Sequence, residues 1–545
     1  MNRPWFASYE QGVPHDLDVP DVLLPTVLEK TAAAYPDNPA VIFHDRAIPY
    51  REIQGRMASL AAGLAGIGVQ KGERVAIMLS NCPQYIEALY AILRIGGIVV
   101  NTNPMYVERE LEHQLRDAGV ETILALRAFY PRLQAVRGKT SLKRIILTDM
   151  EDAFFRGPRP PAPPEPDAHA YLDLLEKGKR WPLPALSGSP DEIALLQYTG
   201  GTTGVSKGAM LTHRNLVANV LQSASWDRFA QRGRERLLTV LPFFHVYGIT
   251  VSINAAIHLA AALILMERFQ IDEALEAINR HQPTRFPGVP TMFIAINNHP
   301  RVREYRISSI QVCSCGSAPL PVEALRRFEE LTGGRISEGY GLTEASPLAI
   351  ANPPFGRRKV GSIGIPRPAT DAKIVDLETG EKTLPPGVEG ELCLRGPQVM
   401  KGYWNRPEET AQTLRDGWLY TGDIARMDED GYFFLVDRKK DMIICGGYNV
   451  YPRDVEEVLY QNSKIQEACV LGVPDPYRGE TVKAFVVLKE GQESGPEEII
   501  EFCRQNLARY KVPTLVEFRR ELPKSHVGKI LRKTLREEES HKSKK

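Results

Sequence analysis

Cysteine is scarce in this chain of 545 residues. The seven cysteines are scattered and show no framework spacing. An odd number without such spacing excludes a disulfide-stapled secreted scaffold and favours a reducing compartment. Cys313 and Cys315 form a CxC pair, but no second Cys or His pair lies nearby in the sequence. Buried packing is the favoured interpretation of this pair, with a zinc site as the alternative.

Net charge is almost absent. Lys and Arg number 68 against 67 Asp and Glu, which gives a formal charge of +1. This balance provides no electrostatic basis for binding nucleic acid, so no nucleic-acid partner is expected. A basic cluster occurs only in the final segment HKSKK. We interpret that segment as a solvated end, with weak attraction to anionic lipid as the alternative.

The sequence also lacks an uninterrupted apolar run of membrane-spanning length. The nearest candidate, Val246–Met266, is broken by Asn254 and His258, whereas a spanning helix needs about 20 consecutive apolar residues. We therefore expect a buried helix followed by a strand over Ala262–Met266. The N-terminal residues have no apolar region typical of a secretory signal, so the expected location is cytoplasmic.

Strand-like and helix-like segments alternate over most of the chain. Amphipathic segments that end on glycine predict helices, and an α/β fold with a doubly wound parallel sheet follows from the alternation. A Pro-rich segment, Gly157–Asp167, is interpreted as a surface excursion within the same large domain. The short apolar runs that predict buried strands are Arg74–Leu79, Gly97–Thr102, Glu121–Leu126 and Arg144–Asp149.

The pattern changes after about Gly356, where closely spaced strands and turns predict a smaller β-rich subdomain. Beyond the charged segment Asp437–Asp441, helices and strands alternate again over about a hundred residues, which predicts a compact α+β unit. We therefore predict a large N-terminal domain over residues 1–437, with α/β subdomains and a β-rich subdomain. A small, mobile C-terminal α+β domain is predicted over residues 438–545, with the joint near 437–440.

A glycine- and hydroxyl-rich loop is the first candidate site. It follows the predicted strand Ile193–Tyr198, and a helix is predicted downstream of it. Glycines let backbone N–H groups approach an anion, threonines add hydroxyl donors, and a lysine can neutralise a triphosphate. The spacing is not that of a Walker A loop. The candidate phosphate-binding residues are Thr199, Gly200, Gly201, Thr202, Thr203, Gly204 and Lys207.

Three further segments carry residues suited to nucleotide chemistry. Tyr340 offers an aromatic face for a purine, and Thr343 and Glu344 offer a hydroxyl and a carboxylate suited to Mg²⁺. Asp423 lies on a Thr-Gly-Asp turn and can accept both hydroxyls of a ribose. Lys529 lies in a Gly-containing C-terminal stretch. Taken singly, a solvated glutamate, a capped turn and a surface lysine are the favoured interpretations.

Together, and in this order, the four segments resemble the acyl-adenylate-forming superfamily, which includes acyl-CoA synthetases, peptide-synthetase adenylation domains and beetle luciferases. The resemblance covers nearly the whole chain. LPFFHVYG resembles the superfamily's Pro-x-x-His segment, CGSAPLP its adenine loop, and PKSHVGKILRK its C-terminal lysine motif. The segment from Asp416 to Leu459 looks most like bacterial long-chain fatty-acid–CoA ligases.

This resemblance implies ATP-dependent activation of a fatty acid to acyl-AMP, followed by transfer to CoA. Lys529 would bridge the acyl carboxylate and the α-phosphate, and Thr343 would contact the α-phosphate. Mg²⁺ would be held by Glu344 and Thr202. The residues implied to bind adenine and ribose are Gly316, Ser317, Ala318, Tyr340, Gly341, Asp423 and Arg438.

The resemblance further implies that the C-terminal domain turns about Lys440 between two half-reactions. The turn would withdraw Lys529 and bring a CoA-binding face to the site. His245 and Ile249 would border the acyl pocket, although a packed core histidine is the alternative for His245. The residues implied to bind CoA are Gly446, Gly447 and Tyr448.

Other functions stay open at this stage. The chain could activate a different carboxylic acid or load a carrier-protein phosphopantetheine, but it contains no recognisable carrier module. A non-catalytic binder is disfavoured because Glu344, Asp423, Arg438 and Lys529 occur together, and a luciferase-like oxygenase remains an alternative. Peripheral contact with the inner face of the membrane and a homodimer are also left open. The acyl chain length rests on the resemblance alone.

Overall fold

The structure is a computed structural model that describes residues 3–154, 168–199, 206–318, 320–439, 441–445, 448–475, 478–525 and 530–542. The chain divides into two compact units. The first unit contains Met1–Asp371 and Leu394–Leu419, and the second contains Ala372–Cys393 and Tyr420–Lys545. The predicted domain boundary at residues 437–438 stays a prediction, and the predicted excursion over 157–167 lies outside the described residues.

One sheet of the first unit is formed around the predicted strands. Six neighbouring strands in it run parallel, and the four strands predicted near its centre are confirmed to within one residue at each end. In the described ranges its eight strands follow the order Gly402–Tyr403, Lys207–Thr212, Ile193–Thr199, Ile98–Asn101, Arg74–Met78, Thr122–Leu126, Arg144–Thr148 and Ala168–Ala170.

A second sheet in the same unit is also mostly parallel. Its strand Val312–Cys315 carries both cysteines of the CxC pair in the core, where burial raises the pKa of each thiol well above its usual value. Buried packing of this pair is therefore confirmed. Where the chain is described, its nine strands follow the order Ile365–Pro366, Leu348–Ala351, Arg335–Gly341, Val312–Cys315, Arg285–Gly288, Arg236–Thr239, Ala262–Leu265, Pro39–Phe43 and Arg46–Pro49.

Helices cover both sheets and form where the sequence is amphipathic. Glu108–Ala118 is representative: Leu111 and Leu115 are buried, and the helix ends at Gly119 in the left-handed conformation. The other α-helices of the first unit are Pro25–Ala34, Tyr50–Gly66, Pro83–Arg94, Tyr130–Arg137, Tyr171–Gly178, His213–Trp226, Val246–Gly248, Ala255–Leu259, Ile271–His281, Pro290–Asn298, Val322–Thr332 and Pro407–Thr413. Five short 3₁₀ helices are described at Pro4–Ser8, Arg127–Phe129, Met150–Phe154, Val302–Glu304 and Thr343–Ala345.

The long apolar run folds as expected, into a buried helical segment followed by a strand. A π-helical stretch, Ile249–Asn254, continues the helix begun at Val246. Ala260 then adopts the left-handed conformation and the chain enters the strand Ala262–Leu265. In the part of the chain that the structure describes, no helix is both long and apolar enough to cross a bilayer.

The remaining sheets confirm the expected β-rich and α+β character of the C-terminal part. One described sheet contains Asp371–Val375, Gly390–Arg395, Trp418–Met427, Leu414–Arg415 and Phe433–Arg438. The other contains Tyr448–Val450, Ile443–Cys445, Gly479–Leu488, Ile465–Asp475 and Leu515–Phe518. Its helices are Pro452–Gln461, Pro496–Asn506 and Arg532–Lys542.

A buried histidine joins the N-terminal segment to the core of the first unit. His213 begins the helix His213–Trp226, and its Nδ1 accepts a hydrogen bond of 3.2 Å from the backbone N–H of Leu24. Burial lowers the pKa of His213 to about 4. The folded protein therefore holds this ring in its neutral form, whereas the unfolded chain protonates it near pH 6.5.

We expect His213→Gln to flatten the acid dependence of stability. Because the unfolded chain binds the proton first, stability falls as the pH drops from about 6.5 to about 4, by about 3 kcal/mol. The midpoint of thermal unfolding, measured at pH 7 and pH 5, should therefore shift less in the variant than in the parent. His541→Gln, at an exposed helix end, is the control. Equal shifts in parent and His213→Gln would contradict this role.

Candidate active site

The candidate phosphate loop closes a β-hairpin. Thr199 and Lys207 are antiparallel partners at the ends of the strands Ile193–Thr199 and Lys207–Thr212. The helix predicted downstream of the loop is confirmed as His213–Trp226, but the sequence did not predict the strand before it, whose other edge pairs with Gly402–Tyr403. Lys207 is thus held on a strand and not at a helix N-terminus. The loop residues Gly200, Gly201, Thr202, Thr203 and Gly204 lie outside the described residues.

A buried amide network fixes the strand that enters the loop. Asn101 Nδ2 donates to Gln197 Oε1 at 2.7 Å, and Tyr85 Oη donates to Asn101 Oδ1 at 2.6 Å. Gln197 Nε2 in turn donates to the carbonyl of Phe244 at 3.1 Å. This last bond ties the phosphate strand to the turn that carries His245. Sequence analysis missed these residues because their partners are distant along the chain.

One tyrosine links the phosphate hairpin to the candidate metal-binding carboxylate. Tyr403 Oη donates to Glu344 Oε1 at 2.6 Å, and Lys207 Nζ lies 5.4 Å from the centre of the Tyr403 ring. Burial, together with the neighbouring carboxylate, raises the pKa of Tyr403 above its usual value, so its hydroxyl remains a donor. Lys207 Nζ also lies 3.8 Å from Glu409 Oε1. Sequence analysis identified Lys207 and Glu344 but missed Tyr403 and Glu409.

The candidate adenine residues lie on two neighbouring strands. Gly316, Ser317 and Ala318 follow Val312–Cys315, and Tyr340 is buried near the end of the parallel strand Arg335–Gly341. The carboxyl ends of parallel strands share one edge of a sheet, where α/β proteins bind ligands. Ser317 adopts the left-handed conformation with φ of 72°.

The chain then turns sharply towards the candidate catalytic residues. A Cβ on Gly341 would lie 2.1 Å from the carbonyl oxygen of Pro347, so only glycine fits there. Thr343 and Glu344 follow on the short helix Thr343–Ala345, and the carbonyl of Glu344 accepts a bond of 2.8 Å from Met400 N. The structure therefore gathers Tyr340, Glu344 and the phosphate hairpin in one unit.

A cavity of about 100 Å³ lies in the same unit and is a candidate for the acyl pocket. Val251 and Ala255 line it from the helical segment, and Val312 and Ser314 line it from the strand. Neither His245 nor Ile249 lines it. His245 Nδ1 instead accepts from Tyr247 N at 3.2 Å, and Ile249 is fully buried. The acyl-pocket roles of His245 and Ile249 stay predictions.

The candidate ribose site belongs to the second unit. Asp423 is buried and is the cross-strand partner of Arg438, whose backbone lies on Phe433–Arg438. A glutamate that sequence analysis missed holds the turn before Asp423. Glu391 accepts from Gly422 N at 3.1 Å and pairs with Lys439 Nζ at 3.0 Å. The turn is thus anchored by a charge and not only by its own backbone.

Four candidate residues lie outside the described residues: the C-terminal lysine Lys529, the pivot Lys440, and the CoA-binding candidates Gly446 and Gly447. Tyr448 begins the strand Tyr448–Val450. Three positions beyond Lys529, the buried guanidinium of Arg532 lies 2.5 Å from Glu456 and within 3.8 Å of Asp437 and Asp441. This ionic cluster anchors the start of the helix Arg532–Lys542.

The mostly parallel sheets carry a hairpin loop, a buried tyrosine and a positioned carboxylate at the ends of their strands. This arrangement defines an α/β protein suited to binding a nucleotide. The chain matches the family model described as AMP-binding enzyme over residues 28–404 and that of the AMP-binding enzyme C-terminal domain over residues 454–529. The chain belongs to the AMP-binding enzyme family.

Its relatives agree with this assignment. The chain is 48% identical over 552 residues to the long-chain-fatty-acid–CoA ligase of Bacillus subtilis (strain 168), covering 99% of this chain and 98% of the relative. It is 42% identical over 556 residues to the protein of the same name from Escherichia coli O6:H1, with the same coverage. The crystal structure of ATP-bound MatB from Rhodopseudomonas palustris is 30% identical with a TM-score of 0.85, covering 95% of this chain and 99% of that one.

These matches confirm the expected superfamily, the expected fold class and the expectation of an enzyme that activates an acid through its adenylate.

We expect Tyr403→Phe to lower the rate of adenylate formation about tenfold, because Glu344 loses the hydrogen bond that orients it. The ring remains beside Lys207, so the KM for ATP should change less than kcat. Pyrophosphate exchange over a range of ATP concentrations measures both constants. Tyr35→Phe, whose ring contacts Arg232 away from the hairpin, is the matched control. A normal kcat for Tyr403→Phe would rule out this positioning role.

Proposed function

We propose that this enzyme converts a long-chain fatty acid, ATP and CoA into acyl-CoA, AMP and pyrophosphate. The observation that carries the proposal is the Lys207–Tyr403–Glu344 arrangement, in which the Tyr403 hydroxyl donates to Glu344 and Lys207 Nζ lies 5.4 Å from the centre of the same ring. The full-length similarity to long-chain-fatty-acid–CoA ligases supports this choice of acid and acceptor.

In the first half-reaction a carboxylate oxygen attacks the α-phosphorus, and the bond to pyrophosphate breaks. An anion approaches an anion, so positive charge must offset the repulsion. Lys207, with Thr199 and the loop residues, would hold the β,γ end of the triphosphate. Lys529 would lie at the bond being made, and Thr343 would contact the α-phosphate.

Adenine and ribose would be bound by two separate groups of residues. Tyr340 and the segment 316–318 would enclose adenine, while Gly341 allows the tight turn that follows. Asp423 would accept the two ribose hydroxyls beside Arg438. Glu391 acts on this site only through the turn, because it bonds Gly422 N and Lys439.

Glu344 fits a role in binding Mg²⁺. One carboxylate oxygen accepts from Tyr403, which leaves the other for a ligand. Mg²⁺ is commonly held by one or two carboxylates together with substrate phosphates. In the described ranges no cluster of three or more His, Cys, Asp or Glu side chains is suited to a metal. When bound, the ion would neutralise charge on the phosphate oxygens, with Thr202 as the second proposed ligand.

In the second half-reaction the CoA thiolate attacks the carbonyl carbon, and the bond to AMP breaks. We propose that residues 438–545 turn about Lys440 between the two steps. The turn would withdraw Lys529 and bring in Gly446, Gly447 and Tyr448 to line the path of the CoA arm. His245 and Ile249 would border the acyl chain near the reacting carboxylate.

We place the enzyme in the cytoplasm, with peripheral contact at the inner face of the membrane. Support comes from the substrate, because long-chain acids partition into bilayers. A homodimer stays a prediction. Transfer of the acyl group to a carrier-protein phosphopantetheine is the alternative second step.

Pyrophosphate exchange across saturated acids of increasing length tests the proposal. We expect exchange without CoA, thioester only when CoA is added, and the highest kcat/KM with long chains. A phosphopantetheinylated carrier protein should be a poor substitute for CoA. A preference for short or aromatic acids, or for the carrier, would refute this assignment.

Two variants should each impair one half-reaction more than the other. Lys529→Ala should lower adenylate formation about 100-fold or more, because the charge at the forming bond is lost, yet it should still convert supplied acyl-AMP into thioester. Lys440→Pro should spare adenylate formation and slow thioester formation, because proline fixes φ at the pivot.

Lys439→Ala provides a control for changes in charge beside the pivot. Equal losses in both steps for Lys440→Pro would argue against a pivot there. Normal adenylate formation by Lys529→Ala would remove that lysine from the mechanism.

A further inference from the structure

The acyl cavity contains a buried arginine that has no carboxylate partner. Arg367 lines the cavity and is only 5% exposed. Its Nη1 donates to Ser223 Oγ at 2.8 Å, and its guanidinium lies 5.9 Å from the centre of the Trp226 ring. Its Nε is buried without a hydrogen-bond partner. Among the described residues, no carboxylate lies within 4.0 Å of this side chain.

The other arginine that lines the cavity has carboxylate partners. Arg285 also lines it, but Arg285 Nε lies 2.6 Å from Asp227 and its Nη1 lies 3.2 Å from Glu235. Two carboxylates therefore compensate Arg285 and none compensates Arg367. Among the described residues, Arg367 is thus the arginine of the cavity that has no carboxylate within 4.0 Å.

An uncompensated guanidinium in such a place is unfavourable by itself. Burial lowers the pKa of Arg367 to about 10, which still leaves it protonated at neutral pH. A buried charge normally has a partner, and a buried N–H donor normally has an acceptor. The Arg367 guanidinium has five N–H donors, of which one is bonded to Ser223. The Nε donor is buried and finds no acceptor in the described part of the protein.

The surrounding side chains make this end of the cavity polar. Ser223, Ser314 and Ser337 line it together with Arg367, whereas Val251 and Leu259 line the facing helical wall. Ser223 Oγ donates its own proton to the carbonyl of Asn219 at 2.8 Å, so it cannot orient that proton towards a ligand. A chain in this cavity thus contacts apolar side chains as well as a cationic donor.

We propose that Arg367 forms an oxygen-binding subsite for substituted acyl chains. The ligand would be a fatty acid that carries an acceptor oxygen along or at the end of its chain: a keto group, a hydroxyl group or a second carboxylate. This inference rests on the proposed function, because it takes the cavity to be the acyl site. A methylene group beside Arg367 leaves its donors unsatisfied, whereas an oxygen satisfies them. Sites built to hydrogen-bond a substrate group reject the analogue that lacks it.

The test compares matched substrates in the full-length enzyme. kcat/KM is measured by pyrophosphate exchange for hexadecanoic acid, for its derivatives with a keto or hydroxyl group at successive positions, and for hexadecanedioic acid. We expect one position of the oxygen to be preferred in the parent enzyme. In Arg367→Met the ratio of kcat/KM for the oxygenated acid to that for the plain acid should fall at least about tenfold. The best of the three substituents identifies the natural group.

Thermal unfolding separates binding from a structural role. Because an uncompensated buried charge is replaced by an apolar side chain, the midpoint of unfolding of Arg367→Met should rise. Ser223→Ala is the matched control: it removes the hydroxyl group bonded to Nη1 but keeps the guanidinium, so the substrate ratio should be retained. A lower midpoint with equal losses for both substrates would overturn the proposal, as would an unchanged ratio.

A further variant distinguishes failure of the subsite from failure of the proposed function. Val251→Trp fills the cavity from the helical wall and should shift the preference towards shorter plain acids. If plain fatty acids support no exchange in the parent, or Val251→Trp leaves the length profile unchanged, the acyl assignment of the cavity is wrong. If both behave as expected but Arg367→Met keeps the substrate ratio, only the subsite is wrong.

Discussion

The carboxamide of Gln197 is the interaction on which the first unit's site depends. It lies on the strand that enters the phosphate loop, accepts from Asn101 and donates to the carbonyl of Phe244. Gln197 belongs to one sheet and Phe244 to the connection that follows a strand of the other. Through this side chain the strand that enters the loop and the turn before the helix that begins at Val246 share one anchor. Buried amides of this kind hold a geometry because leaving either end unpaired is costly.

The Tyr403 side chain contacts two oppositely charged residues of this site. A lysine and a glutamate placed close together would pair and neutralise each other before any substrate arrived. Here the Tyr403 hydroxyl donates to Glu344, and Lys207 lies over the Tyr403 ring. No ion pair within 4.0 Å joins Lys207 to Glu344 among the residues described. Lys207 instead lies 3.8 Å from Glu409 Oε1.

The sequence predicted what depends on local pattern. Apolar runs bounded by glycine determined the strands near Arg74–Met78 because a parallel sheet buries both faces of its strands. The same reasoning failed at Lys207–Thr212, since a short strand beside a predicted helix has no periodicity of its own. Tyr403, Gln197 and Glu391 could not be found because each acts on a partner far along the chain. Arg367 was missed because a single arginine in a loop normally indicates a solvated surface.

The Arg532 cluster has a mechanical consequence for the proposed turn at Lys440. Arg532 contacts Asp441 and Glu456 after that residue, and Asp437 before it. Asp437 also accepts from Arg453 N at the start of the helix Pro452–Gln461. A rotation about Lys440 therefore separates Asp437 from both partners while the other contacts move together. In the proposed turn these contacts would be lost, and since they are partly electrostatic, the balance between the proposed domain orientations should depend on ionic strength.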